Sequence, residues 1–283
     1  MTMRNVLLTM LAICLLCVGH AGALDFTTSR DLGQARTVTF HYSTPSELLQ
    51  LPTGSMPDRR WDIEAGFTRQ YELSDFDQFF IAGAYRYGPV TAALGLAQQG
   101  SADLYREQLV KFSIAYYYRH FSLGASMSGE QVDITGDYHQ LRSHAFGFGA
   151  GYRSDRFSVG FSADNLNKPT LYNGAVPRNP IYATYLELLG HRSFSFTGRI
   201  TWEETEEVQL ALGQRIALAE STSFTWGVGT NPVEYGVGIE FRFGRHVFSY
   251  AASYHPTLGL SFTVTLGTGG GPKLSDATDE TFD

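Results

Sequence analysis

The chain has 283 residues and a formal net charge of −7, with 17% charged, 43% hydrophobic and 14% aromatic residues. That balance carries no basic footprint for nucleic acid. Its two cysteines, Cys14 and Cys17, both fall near the start, which excludes disulfide staples, thiolate catalysis and cysteine metal sites from everything downstream.

Arg4 gives the first residues a positive charge, and an apolar run over 6–18 ends just before Ala21-Gly22-Ala23. A basic start, a short apolar core and a small-x-small site predict a secretory signal peptide over 1–23. The run is too short to cross a bilayer as a helix, which takes about 20 residues. Residues 24–60 are expected to form an N-terminal plug or a periplasmic arm. Within them, Thr44-Pro45-Ser46-Glu47-Leu48-Leu49 has the form of a helix start, with proline followed by apolar residues. A membrane strand over 36–43 would make the strand total odd and is not expected.

From Trp61 onward the side chains alternate. In Ser143-His144-Ala145-Phe146-Gly147-Phe148-Gly149-Ala150-Gly151-Tyr152 the bulky residues take even positions, and Ser, Ala and Gly take the odd ones. Phe157-Ser158-Val159-Gly160-Phe161-Ser162 repeats this with the parity reversed. Period two marks strands with two different environments. A face of large apolar residues against one of Gly, Ser and Ala fits a barrel whose outside meets lipid. Strands are predicted at 61–72, 77–87, 89–98, 106–118, 120–130, 141–153, 156–165, 180–189, 192–203, 206–217, 221–229, 234–243, 246–254 and 258–267. The fold class is therefore all-β, an antiparallel up-and-down barrel of about fourteen strands. It spans 61–267, followed by a flexible acidic tail over 268–283.

The links carry a second pattern. After even-numbered strands they are tight, as at Gly88-Pro89, Arg119-His120, Ser154-Asp155 and Gly244-Arg245, whereas odd-numbered strands are followed by longer polar stretches such as 131–140 and 166–179. Short periplasmic turns and longer external loops are the rule for outer-membrane barrels, which puts both termini in the periplasm. Tyr85, Tyr87, Tyr116, Tyr118, Phe121, Tyr152, Phe157, Phe243 and Phe248 flank the tight turns, as an interfacial aromatic girdle requires.

Fixing the bulky residues outward turns Lys111, Asp164, Arg199, Glu203, Arg215, Glu240 and Arg242 into the lumen. These seven either form a self-satisfying charge network that holds a plug or line a path and set its selectivity. No histidine stands at a spacing that pairs it with a nucleophile. The loose group His139, Asp137 and His144 has no recognisable metal-ligand spacing, and the glycines alternate within strands rather than cradling phosphate. No enzymatic activity, cofactor or metal is expected.

Two short motifs go further. Tyr254-His255-Pro256-Thr257-Leu258-Gly259-Leu260-Ser261 resembles the closing segment of the PorV/PorQ-like outer-membrane proteins, relatives of the FadL long-chain fatty-acid transporters. Asn165-Leu166-Asn167-Lys168-Pro169 resembles that family's Asn-x-Asn-x-Pro element. The motif residues are thus Asn165, Asn167, Pro169, His255, Pro256, Leu258 and Gly259. The resemblance implies a fourteen-stranded barrel with an N-terminal plug, a lumen admitting hydrophobic ligands in the transporters, and secretion roles in other members. Phe262 departs from the family's frequent histidine, and Thr44-Pro45-Ser46 is the nearest echo of its Asn-Pro-Ala plug element.

The expectation is a monomeric outer-membrane protein, exported through the inner membrane of a Gram-negative envelope and surrounded by lipid. It passes a hydrophobic or amphipathic small-molecule ligand. The alternative is a non-transporting protein that docks a secreted or envelope protein partner at its external loops. A general porin fits less well, since no long acidic constriction loop faces a basic ladder.

Overall fold

The computed structural model describes residues 26–39, 43–54, 56, 59–101, 105–134, 141–170, 177–190, 194–204 and 206–270. Fourteen strands follow one another along the chain: β1 (Trp61–Arg69), β2 (Asp77–Tyr87), β3 (Val90–Ser101), β4 (Tyr105–Tyr118), β5 (Phe121–Ile134), β6 (Leu141–Arg153), β7 (Phe157–Asp164), β8 (Ile181–Leu189), β9 (Phe194–Glu203), β10 (Gln209–Ala219), β11 (Thr222–Gly229), β12 (Glu234–Phe243), β13 (His246–His255) and β14 (Gly259–Gly270). Each pairs antiparallel with its neighbours in sequence, and β1 pairs with β14, so the sheet is a closed barrel with no edge strand. Among the described residues, two short helices, α1 (Ser29–Gly33) and α2 (Pro45–Gln50), precede the strands.

The registers turn sequence parity into two surfaces. Between β5 and β6, Phe121 faces Tyr152 and Ala125 faces Phe148 on the outside, while Ser122 faces Gly151, Gly124 faces Gly149 and Ser126 faces Gly147 on the inside. The outer side chains are bare: Leu212 is 62% exposed, Phe121 61% and Phe243 65%. A continuous exposed apolar band of this kind is stable in hydrocarbon and not in water. The girdle residues also touch one another, with Phe121 and Tyr152 rings 5.2 Å apart and Tyr152 and Phe157 5.6 Å apart.

Several strand ends differ from expectation, each for a local reason. β1 stops at Arg69 rather than 72 because Tyr71 and Glu72 take positive φ (52° and 60°), which no strand accommodates. β14 continues to Gly270 rather than 267, since Thr268, Gly269 and Gly270 still pair with Ile63, Asp62 and Trp61 across the closing seam. The barrel is correspondingly three residues longer at that edge. Residues 1–25 and 271–283, where the signal peptide and most of the tail are expected, lie outside the described residues, as do His139 and Asp137.

Candidate functional site

Residues 26–39, 43–54 and 56 of the N-terminal segment lie against the inner wall of the barrel. Helix α1 begins at Thr28, whose hydroxyl accepts from the Asp31 amide while the Asp31 carboxylate accepts from Thr28, a capping box that satisfies otherwise unpaired amides. Helix α2 repeats the device with Thr44 and Glu47, and Pro45 takes the first position, where no amide is needed. The sequence reading places the second helix start and not the first; the barrel places both helices. Ser29 donates to the carbonyls of Ser249 and Thr263, each at 3.1 Å, and its amide meets Thr265 Oγ1 at 3.0 Å. On β4 Ser113 donates to the Leu48 carbonyl (2.8 Å), and Tyr117 donates to the Gly54 carbonyl.

Apolar contact completes the fit. Phe26, Leu48, Leu49 and Met56 pack with Phe80, Ala82, Ala93 and Leu109 of β2–β4, the Phe26 and Phe80 rings meeting edge to face at 6.2 Å. A smaller cluster joins Val38 and Leu51 to Ala183 and Tyr185 of β8. Wall glycines allow this closeness. A Cβ on Gly124 would lie 1.9 Å from the Pro52 carbonyl oxygen, and one on Gly236 would lie 2.1 Å from that of Leu32.

Charge converges on Glu240. Its carboxylate accepts from Arg30 Nη2 at 2.7 Å, Arg215 Nη2 at 3.0 Å and Arg242 Nη2 at 3.4 Å. Arg30 also reaches Glu47 at 3.3 Å, and Glu47 in turn accepts from Thr39 and Thr44. Burial by itself disfavours a charged guanidinium, but the Glu240 and Glu47 carboxylates outweigh it and hold the Arg30 pKa above its ordinary value. Arg30 thus stays cationic and ties both helices to the β12 wall.

The remaining candidates occupy other parts of the wall. Lys111 Nζ stands 3.6 Å from Asp164, and Arg199 donates to the Arg36 carbonyl at 2.9 Å. Glu203 closes β9 opposite Ile181, at the long-loop rim. The seven therefore do not form one constellation: three gather at Glu240, two pair on β4 and β7, and Arg199 holds the segment. Arg30, Phe80 and Tyr117 escaped the sequence reading, and Glu47 entered it only as part of a helix start. Glu64 accepts from the Ser46 amide at 2.6 Å. Strand parity alone would have turned Glu64, Phe80 and Tyr117 inward, whereas Arg30 and Glu47 sit where no period runs.

The motif residues shape turns. Asn167 donates to the His144 carbonyl (2.8 Å) and accepts from the Phe146 amide (3.1 Å), so its side chain continues the β6 edge where β7 has ended. Asn165 takes φ 57°, and the Pro169 carbonyl accepts from the Arg178 amide. His255 Nδ1 accepts from the amides of Thr257 and Leu258, both at 3.1 Å, across Pro256, and Gly259 follows at φ 97°. Among the described residues no three His, Cys, Asp or Glu side chains come together as metal ligands.

Two recesses flank the segment. At the tight-turn end a cavity of about 790 Å³ is bounded by Arg30, Glu187, Arg215, Ser223, Glu240 and Arg242. At the long-loop end a recess of about 230 Å³ mixes Leu109, Ile181, Ala183 and Tyr185 with Lys111, Glu130, Asp164 and Arg178. The second has both an apolar floor and charged groups, the chemistry an amphipathic molecule calls for.

No protein-family model matches the chain, and no curated protein does. Solved structures do. A TodX deltaS2S3 mutant, described as a monoaromatic hydrocarbon channel, superposes with a TM-score of 0.64 at 9% identity, over 88% of this chain and 100% of that one. The fold is that of an outer-membrane β-barrel. The TodX deltaS2 mutant gives 0.62 at 9% identity over 88% and 100% of the two chains. The outer membrane protein Omp33 of Acinetobacter baumannii gives 0.52 at 8% identity, over 76% and 99%. At such identities the likeness is one of fold.

Proposed function

We propose that the protein is an outer-membrane transport barrel of the FadL-like kind, passing a hydrophobic or amphipathic small molecule through a lumen closed by residues 24–60. The observation that carries this reading is a recess at each end of the barrel with one docked segment between them. The ligand enters the long-loop recess, with its apolar part against Leu109 and Tyr185 and its polar part toward Lys111 and Arg178. Movement of the segment then opens the way to the larger cavity. Both termini are periplasmic, and the barrel works as a monomer. No step needs a cofactor, and no side chain is asked to do covalent chemistry.

Deletion of 24–60 tests this. In planar bilayers the shortened barrel should conduct, and vesicles containing it should leak a fluorescent amphiphile that the full chain retains. Equal behaviour of the two would sink the idea that the segment closes the lumen. A second reading, a PorV-like docking protein for secreted partners, draws on the depth of the segment's packing: Leu49 and Leu51 are wholly buried. It predicts a stoichiometric protein partner and no change in leakage.

A further inference from the structure

The lipid-facing wall is not uniform. Outside β1–β3 lies a groove of about 420 Å³ with an almost wholly apolar lining. Ile63, Ile81, Leu94 and Leu96 form its walls. Gly83, paired with Ile63 on one side and Leu94 on the other, forms its floor, where a Cβ would meet nothing nearer than 3.8 Å. Tyr85 stands at its tight-turn end. There the Arg60 guanidinium lies over the Tyr85 ring, 5.5 Å from its centre, and donates to the Tyr85 hydroxyl at 2.9 Å. Arg60 is exposed, and among the described residues it makes no ion pair.

This guanidinium belongs to a set. Arg119, Arg156 and Arg245 occupy or adjoin the tight turns, are exposed, and likewise have no carboxylate partner among the described residues; Arg119 stacks on Tyr118 at 5.5 Å. The long-loop end is built differently. There Arg69 holds Asp77 at 2.7 Å, Arg106 holds Asp133 at 3.0 Å, Arg178 holds Glu130 at 3.0 Å and Lys168 lies 3.7 Å from Glu204. At the tight-turn rim Arg59 pairs with Asp62 at 2.6 Å and Asp155 and Glu220 are exposed, but the guanidiniums of Arg60, Arg119, Arg156 and Arg245 are left open. A ring of unpaired guanidiniums at head-group depth draws anionic lipid, and interfacial tyrosines hold it at that level.

We propose that the β1–β3 groove is a binding site for one anionic glycerophospholipid, its phosphate on Arg60 and an acyl chain along the groove over Gly83. The site is open to the bilayer and independent of the lumen. Lengthening the floor residue displaces chain methylenes; removing the Arg60 charge leaves the chain seat but takes away the phosphate's partner.

The test uses the full chain purified in mild detergent, with bound lipid counted by native mass spectrometry and by titration with phosphatidylglycerol, phosphatidylethanolamine and lipid A. The unaltered protein should retain one phosphatidylglycerol in preference to the other two. Gly83→Leu should weaken its retention by roughly tenfold, what displacing two buried methylenes is worth. Arg60→Gln should weaken phosphatidylglycerol by about fivefold, the worth of one basic residue near an anionic surface, and erase the preference over phosphatidylethanolamine. Gly198, another outward glycine with open space (nearest atom 3.6 Å), supplies the control: Gly198→Leu should retain lipid normally. Retention of lipid A instead, no retained lipid, an unaffected Gly83→Leu protein, or equal loss in the control would each overturn the proposal.

Discussion

Replacing Glu240 by glutamine keeps its volume and removes the charge that three guanidiniums share. The three contacts are unequal. Arg242 is 43% exposed on its side chain, Arg215 26% and Arg30 11%, against 9% for Glu240 itself. The Arg242 pair therefore has a surface value, below about 1 kcal/mol. Breaking a mostly buried pair by removing one partner costs about 3–5 kcal/mol, and the open cavity beside Arg30 argues for the lower figure. Of these three, only the Arg30 contact joins the segment to the wall, since Arg215 and Arg242 share the barrel with Glu240. The docked state should thus lose about 3 kcal/mol relative to the released one, roughly a hundredfold in population. Labelling of a cysteine at Leu51 reads this directly, because Leu51 has no exposure when the segment is docked and labelling tracks the open population. With Cys14 and Cys17 absent, the Leu51→Cys protein should react with maleimide about a hundred times faster once Glu240→Gln is added, while heat-modifiable mobility on gels stays normal. A change under about threefold would refute the assignment of Glu240 as the segment's anchor.

Three further outcomes are expected. Asn167→Ala removes both side-chain bonds to the exposed β6 edge at His144 and Phe146, about 1–2 kcal/mol; amide exchange at Phe146 should quicken while strands β10–β14 keep their protection. Phe148→Arg, on the lipid face midway along β6, should lower the folding stability in vesicles by about 2–4 kcal/mol, measured by urea titration. Ser128→Arg, in the long-loop recess, should leave that stability near its original value.

Strand number, order and facing were all legible because membrane strands obey one rule, that bulk points out. Ser143 to Tyr152 states it within ten residues, and β6 was predicted with its observed bounds, Leu141–Arg153. Ends were less legible wherever backbone geometry or a distant partner decides. Nothing around Tyr71 and Glu72 announces two left-handed residues, and Gly270 continues β14 because Trp61 stands opposite. The anchor of the segment was half visible. Glu240, Arg215 and Arg242 follow from parity, but Arg30 lies outside any period, and its meeting with Glu240 is a product of tertiary fold across 210 positions. The open guanidiniums at the tight turns were present as letters; their lack of partners became visible only once each side chain's surroundings were known.

The hydrogen bonds of Ser29 have a temporal meaning. They reach residues 220 to 236 positions later, on the last two strands. The first helix of the described residues consequently lacks these holds until the final hairpin has arrived, and before then has its Arg30 tie to Glu240 on β12. Complete docking of the first helix therefore waits on the final hairpin. An incomplete wall would leave the leading helix loose, where a quality-control protease could find it.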